Sequence, residues 1–273
     1  MNDPVTVELN VDSALLLKQL VGIDSYPAQL ALYSDIHRLA DRDRVNSRVA
    51  EQLTAVGLLD DGRVNPVVAH WLHCLDRPDV ELVAYIVNIG QESAGATLSM
   101  SLVRRDDSHV LAMRCDDHVV FQSVFVEGDR IDVLTAALSS VLGSATAPAF
   151  EPITANRDEW ATLPTDPDGR RRVLSELGAT SRAANILART LDRVERHAEV
   201  LMVEHRDGDT TLPEVSLSVI DTAEGRIVVM PKRSLDGRIQ MTYMPGDDGV
   251  LHAGVRALVE SLPGQSWFEP RRG

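Results

Sequence analysis

The chain has 273 residues, of which 44% are hydrophobic and 25% charged, close to the averages for globular domains, so a disordered or fibrous protein is not indicated. The formal net charge of -14 opposes binding to nucleic acid and to anionic membrane surfaces, which leaves proteins and small molecules as partners. No signal-peptide pattern and no apolar run of roughly 18 residues appear, and Cys74 and Cys115 lack ligand spacing, so we expect a cytosolic protein without membrane insertion.

The first half of the chain is predicted to contain two helices, a group of strands and a third helix. Apolar residues recur at helical spacing in Val45–Leu58 and Pro66–Leu75, and again from Ile131 to Val141. Between them, the predicted strands are Val80–Val87, the two strands of Leu98–Arg114, and a strand that begins at Phe121.

The second half is predicted to repeat this order after a connector. Residues 144–169 are rich in Pro, Ala, Thr and Asp and show no apolar periodicity, which is typical of a connecting segment. Helices are predicted at about Arg170–Leu177 and at Ser181–Arg196, followed by strands from Ala198. A last helix is predicted after Asp247, whose carboxylate suits a helix N-terminus.

The two halves resemble each other in sequence. Leu98–Arg114 reads LSMSLVRRDDSHVLAMR and Val215–Pro231 reads VSLSVIDTAEGRIVVMP, and they align without a gap at an offset of 117 positions. FQSVFVEGD and VELVAYIV of the first half likewise align with IQMTYMPGD and AEVLMVEH of the second. The sequence therefore predicts an α+β fold with a quasi-twofold internal duplication, in which one domain consists of two repeats, about 1–143 and 170–264, joined by the connector 144–169.

The strands of both halves alternate apolar residues with serines. This period of two is typical of a sheet with one packed face and one polar face, so we expect helices to cover only one side of the sheet. The other face is predicted to present polar side chains to water or to a partner; these are Ser99, Ser101, Gln122, Ser216, Ser218, Gln240 and Thr242.

No group of residues in the sequence indicates a reaction. The motifs GxSxG, GxxxxGK[ST], HExxH, the EF-hand loop and GxGxxG after a strand are all absent. His70, His73 and Cys74 share one predicted helix, but no further ligands occur at a metal-binding spacing, which favours a structural role. We expect no catalytic residues, no metal and no cofactor.

Two short features stand out near the C-terminal end. Lys232-Arg233 is one of few basic pairs on this acidic chain, and we interpret it as an anchor for a partner's carboxylate or helix C-terminus. Trp267-Phe268 places two scarce aromatic residues in the tail, where we expect them to pack back on the body as a lid.

Four segments together resemble the EspG family over nearly the whole chain. They are VELNVDSALLLKQLVGIDSYP, DGRVNPVVAHWL, EVSLSVIDTAEGRIVVMP, and TYMPGD followed by LPGQSWF. No single segment is specific, but their order and spacing are. The resemblance implies an α+β fold with quasi-twofold symmetry, a central antiparallel sheet, and N-terminal and C-terminal helical bundles.

The resemblance also implies a function and a partner. EspG proteins are cytosolic chaperones of the mycobacterial type VII (ESX) secretion pathway, which bind the tip of the PPE subunit in PE–PPE heterodimers and keep them soluble without consuming nucleotide. It implies that this chain contacts PPE through its sheet face and C-terminal helices. The candidate partner-binding residues are Gln91, Glu92, Ser216, Ser218, Arg226, Lys232, Arg233 and Gln240.

Two other interpretations stay open from the sequence. A small-ligand-binding protein or an enzyme would use a cleft between the two halves, and would show a deep pocket with perturbed titratable groups. A homo-oligomeric scaffold would pair through a polar sheet face or an edge strand. We expect a monomer or a weak homodimer.

Overall fold

The computed structural model describes residues 4–268 apart from 35–38, 90–94, 96, 127–130, 207–208, 212, 214 and 235–236. In the first half the elements are β1 (Thr6–Asn10), α1 (Val11–Val21), a turn of 3-10 helix (Ala28–Leu30), α2 (Leu39–Ala55), β2 (Leu59–Asp60), β3 (Arg63–Val64), α3 (Pro66–Asp76), β4 (Val80–Asn88), β5 (Thr97–Arg105), β6 (Ser108–Cys115), β7 (His118–Ser123) and α4 (Ile131–Leu142). The predicted helix α3 is confirmed, and it begins at Pro66 because the Asn65 side chain accepts a hydrogen bond from the backbone N–H of Val67 at 2.9 Å.

In the second half the elements are β8 (Ile153–Asn156), α5 (Arg157–Ala161), α6 (Pro167–Glu176), α7 (Ser181–Thr190), β9 (Val194–Arg206), β10 (Asp209–Thr211), β11 (Leu217–Thr222), β12 (Gly225–Arg233), β13 (Ile239–Pro245) and α8 (Asp248–Ser261). The prediction that the helix from Ser181 extends to Arg196 was wrong. It ends at Thr190, and β9 follows because Ala198, Val200 and Met202 alternate with polar residues at the period of a strand.

Residues 144–169 are more than the expected connector. They contain β8 and α5 and the first residues of α6, and β8 pairs with β13, with Gln240 opposite Asn156. A short strand and a one-turn helix carry too few residues to show a period, so the pattern could not reveal them.

One 11-stranded sheet joins the two halves, and its strand order is β1-β7-β6-β5-β4-β9-β11-β12-β13-β8, with β10 beside β9. Within the described residues its strand pairs are antiparallel, as predicted. The order on one side of the β4–β9 pair mirrors the order on the other side. The small β2–β3 hairpin forms a separate sheet.

The hairpins of the two halves share one register. Ser101 pairs with Ala112 in β5–β6, and Ser218 pairs with Val229 in β11–β12, which is the same pairing at the sequence offset of 117. The sequence alignment of the next strand is shifted, because pairing with Ala112 and Val229 makes Phe121 equivalent to Tyr243 instead of Ile239.

The strands at the two ends of the sheet, β1 and β8, also correspond between the two halves. β1 and β8 each run directly into a helix whose N-cap is an asparagine, Asn10 or Asn156. We therefore propose that the chain is one domain of two repeats and that the second repeat begins at β8, earlier than residue 170.

Helices cover both faces of the sheet, so the prediction of one-sided cover was wrong. On one face, α4 and α8 pack on buried residues of the central strands, including Met100 and Leu217. On the other face, α1 and α3 cover the strands around Val103, and α5, α6 and α7 cover those around Ile220. The serines predict a polar face, but they occupy only the first positions of that face in each strand. The apolar residues Val103 and Ile220 follow on the same faces and are covered by helices.

We call these two surfaces the α4–α8 face and the split face. The predicted polar residues do not share one of them. By strand register Ser99, Ser101 and Ser218 lie on the split face, whereas Gln122, Gln240 and Thr242 lie on the α4–α8 face. None of the helices in the described part of the chain is long and apolar enough to cross a bilayer.

The C-terminal tail packs on the α4–α8 face, which confirms the expectation for Trp267. The Trp267 side chain is fully buried in the cluster of α4 and α8, and its Nε1 donates to His109 Nε2 at 3.0 Å. Burial lowers the pKa of His109, which favours the neutral ring that this hydrogen bond requires.

Replacing Trp267 tests the contribution of the tail. We expect Trp267→Ala to lower the free energy of unfolding by about 3–5 kcal/mol, because it leaves a cavity in the core. Trp267→Phe, which keeps an aromatic ring but loses the donor, should lose less. Urea denaturation measures both, and an unchanged stability of Trp267→Ala would show that the tail is not part of the core.

Candidate partner-binding site

The middle of the split face is left uncovered by the helices of both halves. Its floor is formed by β4, β9 and the start of β11. Tyr85 pairs with Glu199 here and Val83 pairs with Leu201, and the Tyr85 and Ile89 side chains are 46% and 50% exposed. We call this surface the open strip; it consists of Tyr85, Ile89, His197, Glu199, Leu201, Ser216 and Ser218.

A fixed carboxylate lies in the open strip. Ser218 Oγ donates to Glu199 Oε2 at 2.8 Å, and Ser216 Oγ donates to Glu199 Oε1. His197 Nε2 lies 3.8 Å from Glu199 Oε2. The Glu199 side chain is nevertheless 37% exposed, so a partner can reach an acceptor whose position is already set by two hydroxyl groups.

The corresponding surface of the first half is closed by the chain itself. Residues 26–34, with the 3-10 turn, run over β5 and β6. The amide of Gln29 donates to Glu81 Oε1, which also accepts Ser101 Oγ at 2.6 Å. We call residues 26–34 the covering segment.

Arg114 holds the covering segment in place. Its Nη1 donates to the carbonyl oxygen of Leu30 at 2.8 Å and to that of Ala31. Under this segment Glu81 is 5% exposed and accepts a further contact from His205 Nε2, 3.2 Å from Glu81 Oε2.

The second half lacks these closing features. Ser216 and Ser218, the equivalents of buried Ser99 and Ser101, are only half-buried. Pro231 occupies the position of Arg114, so no guanidinium is available there, and α5 connects to α6 through residues 162–166 alone. The asymmetry between the repeats therefore creates the open strip.

Two of the predicted site residues, Ser216 and Ser218, lie in the open strip. Lys232 and Arg233 are exposed at the end of β12, and Gln240 pairs with Lys232, so these three lie together at one end of the sheet. Arg233 is on the split-face side by register, whereas Lys232 and Gln240 are on the α4–α8 side. Gln91 and Glu92 lie outside the described residues.

Arg226 is placed where no partner can reach it. Its side chain is 3% exposed and donates to Asp221 at 2.7 and 3.1 Å and to the carbonyl oxygens of Leu142 and Gly143 at 3.0 and 3.1 Å. Burial alone would raise the pKa of Asp221, but hydrogen bonds from Arg226 and Arg196 outweigh it and hold that pKa below its usual range. We correct the sequence-based assignment of Arg226 to a structural role, which fastens the end of α4 to the second half.

Sequence reasoning missed Tyr85, Glu199 and Leu201. A signal existed, since each of Glu81 and Glu199 interrupts an apolar strand and the sequence alignment sets the two together. The strand register shifts that alignment by two residues, because Val83 lies opposite Ser101 and Glu199 lies opposite Ser218. What the sequence did not show is that one carboxylate is covered by the chain and the other is not.

Two further candidate binding sites are the histidines of α3 and a cavity between α1 and α2. His70 Nε2 lies 2.9 Å from Ser108 Oγ and 3.7 Å from Cys74 Sγ, and the described residues contain no group of three or more His, Cys, Asp or Glu that would hold a metal. A cavity of about 320 Å³ lies between α1 and α2, lined in part by Lys18 and Arg42, and thus lies within the first half.

Comparison with known proteins gives consistent matches along the chain. The EspG family model matches residues 10–257. The ESX-3 secretion-associated protein EspG3 of Mycolicibacterium smegmatis is 30% identical over 272 residues, which cover 97% of this chain and 90% of that protein. The ESX-1 secretion-associated protein EspG1 of Mycobacterium marinum is 28% identical over 270 residues, which cover 98% of this chain and 92% of that protein.

A solved structure matches the fold. It is that of the Mycobacterium tuberculosis type VII secretion system chaperone EspG5 in complex with the PE25–PPE41 dimer. The superposition has a TM-score of 0.79 at 18% sequence identity and covers 97% of this chain and 99% of that chain. The α+β fold predicted from the sequence is confirmed.

The different placement of Arg226 and Lys232 gives a test by mutation. Arg226→Ala should lower the free energy of unfolding by about 3–5 kcal/mol, because it removes a buried partner of Asp221 and leaves buried carbonyl groups unpaired. Lys232→Ala, an exposed change of the same charge, should stay within about 0.5 kcal/mol of the wild type. Equal stabilities of the two variants in urea denaturation would contradict the structural role of Arg226.

Proposed function

This chain belongs to the EspG family, and from that premise we propose that it is a cytosolic chaperone of type VII (ESX) secretion that binds a PE–PPE heterodimer through its PPE subunit and keeps it soluble for export. The observation that supports this most strongly is the match to the family along residues 10–257. The solved EspG5 structure is that of a chaperone in complex with a PE–PPE dimer, which supports a PE–PPE dimer as the partner of this chain.

We propose that the open strip is the docking surface for the PPE tip. It combines exposed apolar side chains, Tyr85 and Ile89, with polar groups whose geometry is fixed, Glu199 and the serines that bind it. Interfaces of this kind gain most of their affinity from a few central residues, and tyrosine is common among them. Arg233, on the same side of the sheet, would contact the rim of the partner.

A binding function without catalysis fits the chemistry of the open strip. Its two serine hydroxyls donate to the Glu199 carboxylate, and the nearest His197 ring nitrogen lies 3.8 Å from that carboxylate. The arrangement positions an acceptor and does not activate a nucleophile. We therefore propose that the protein is not an enzyme.

Co-expression tests the proposed function. The chain should form a stable complex of one copy each of chaperone, PE and PPE with at least one PE–PPE pair from the same genome, and that pair should be less soluble without it. Size-exclusion chromatography with light scattering gives the stoichiometry. If no pair binds, the proposed function is wrong.

A pair of variants extends the same experiment to the docking surface. Ile89→Arg, in the open strip, should abolish or strongly weaken the complex, whereas Val56→Arg, at a position that is 69% exposed outside the strip, should leave it intact. Complex formation by Ile89→Arg at the wild-type level would exclude the strip as the docking surface while leaving the chaperone function in place.

A further inference from the structure

The covering segment shows what kind of group the split face binds. In the first half it brings a side-chain amide, Gln29, to a carboxylate, Glu81, and the residue that follows, Leu30, is fully buried in the apolar cluster of this half. Gln29 therefore pairs with a polar group of the sheet, while the adjacent Leu30 fills part of the apolar core.

The open strip presents a carboxylate and an apolar surface side by side, and within the described residues both stay accessible, with Glu199 37% and Tyr85 46% exposed. Glu199 is held by Ser216 and Ser218 as Glu81 is held by Ser101, and the apolar surface beside it is formed by Tyr85 and Leu201. Ser101 and Ser218 are equivalent in strand register, so the two carboxylates bind equivalent hydroxyls. They reach these hydroxyls from different positions, since Glu199 lies directly opposite Ser218 whereas Glu81 lies two residues from Val83, the partner of Ser101.

We infer that the partner's tip imitates the covering segment: it places an uncharged hydrogen-bond donor, a side-chain amide or hydroxyl, on Glu199 and an apolar side chain directly beside it on Tyr85 and Leu201. This inference rests on the proposed function, because it assigns the recognition chemistry of the same docking surface. Glu199 is then the specificity-determining residue of the strip.

Charge explains why such a residue selects among partners. A carboxylate on the partner opposite Glu199 would be repelled, and an apolar group alone would leave Glu199 partly desolvated without a new donor. A tip with an acidic residue at this place is therefore rejected. The internal precedent, Gln29 on Glu81, is neutral, which favours an amide or hydroxyl over lysine or arginine.

The test uses the full chain and the PE–PPE pair that the wild type binds. Glu199→Ala should weaken binding about tenfold or more in titration calorimetry, since a hydrogen bond to a charged acceptor is lost. Glu260→Ala, which removes the same charge from an exposed position of α8 behind the opposite face, should bind like the wild type. Thermal unfolding of each variant shows whether it is folded.

A second variant and a salt series complete the experiment. Glu199→Gln keeps the size of the side chain and should also weaken binding, and the affinity of the wild type should change little between low and high salt. Wild-type affinity in a folded Glu199→Ala, or a strong salt dependence that Glu199→Gln removes, would overturn the inference. Failure of the wild type to bind any pair would instead overturn the proposed function, and the inference with it.

Discussion

The backbone pairing of β4 with β9 is the interaction on which the rest of the structure depends. It runs without interruption from Val80 opposite Glu204 to Asn88 opposite Arg196 and is the seam between the two halves of the sheet. Because each half contributes an edge that would otherwise expose unpaired N–H and C=O groups, joining them removes two edges at once. The remaining edges, β1 and β8, are short.

The same seam explains where a partner can bind. The helices of each half cover the strands on their own side of it, so the split face is covered at both ends and open in the middle. On the α4–α8 face, α4 and α8 pack together over the central strands and the Trp267 tail adds to them. Closure of one repeat by the covering segment then reduces the gap to the open strip, which makes the surface asymmetric although the fold is nearly symmetric.

The sequence predicted the repeated hairpins and α3 well, because long alternating strands and a capped amphipathic helix carry local signals. It failed where a local signal is ambiguous. The serines of β5 and β11 predict a polar face, although Val103 and Ile220 farther along bury the same faces under helices. Arg226 was assigned to a partner because an arginine in a strand gives no local sign of the buried Asp221 that it binds. The sequence does not indicate Glu199, because its exposure depends on how much of the sheet the chain itself covers, and a strand pattern carries no sign of that.

Site-specific photocrosslinking is the most direct test of whether the PPE subunit docks on the open strip, as we propose. A benzophenone amino acid replaces Tyr85 in one variant and Val56 in another, since both side chains are exposed but only Tyr85 lies in the strip. After co-purification with a bound PE–PPE pair and irradiation, we expect a covalent adduct to the PPE subunit from position 85 and none from position 56. An adduct from position 56 with none from position 85 would place the partner elsewhere and exclude the open strip as the docking surface.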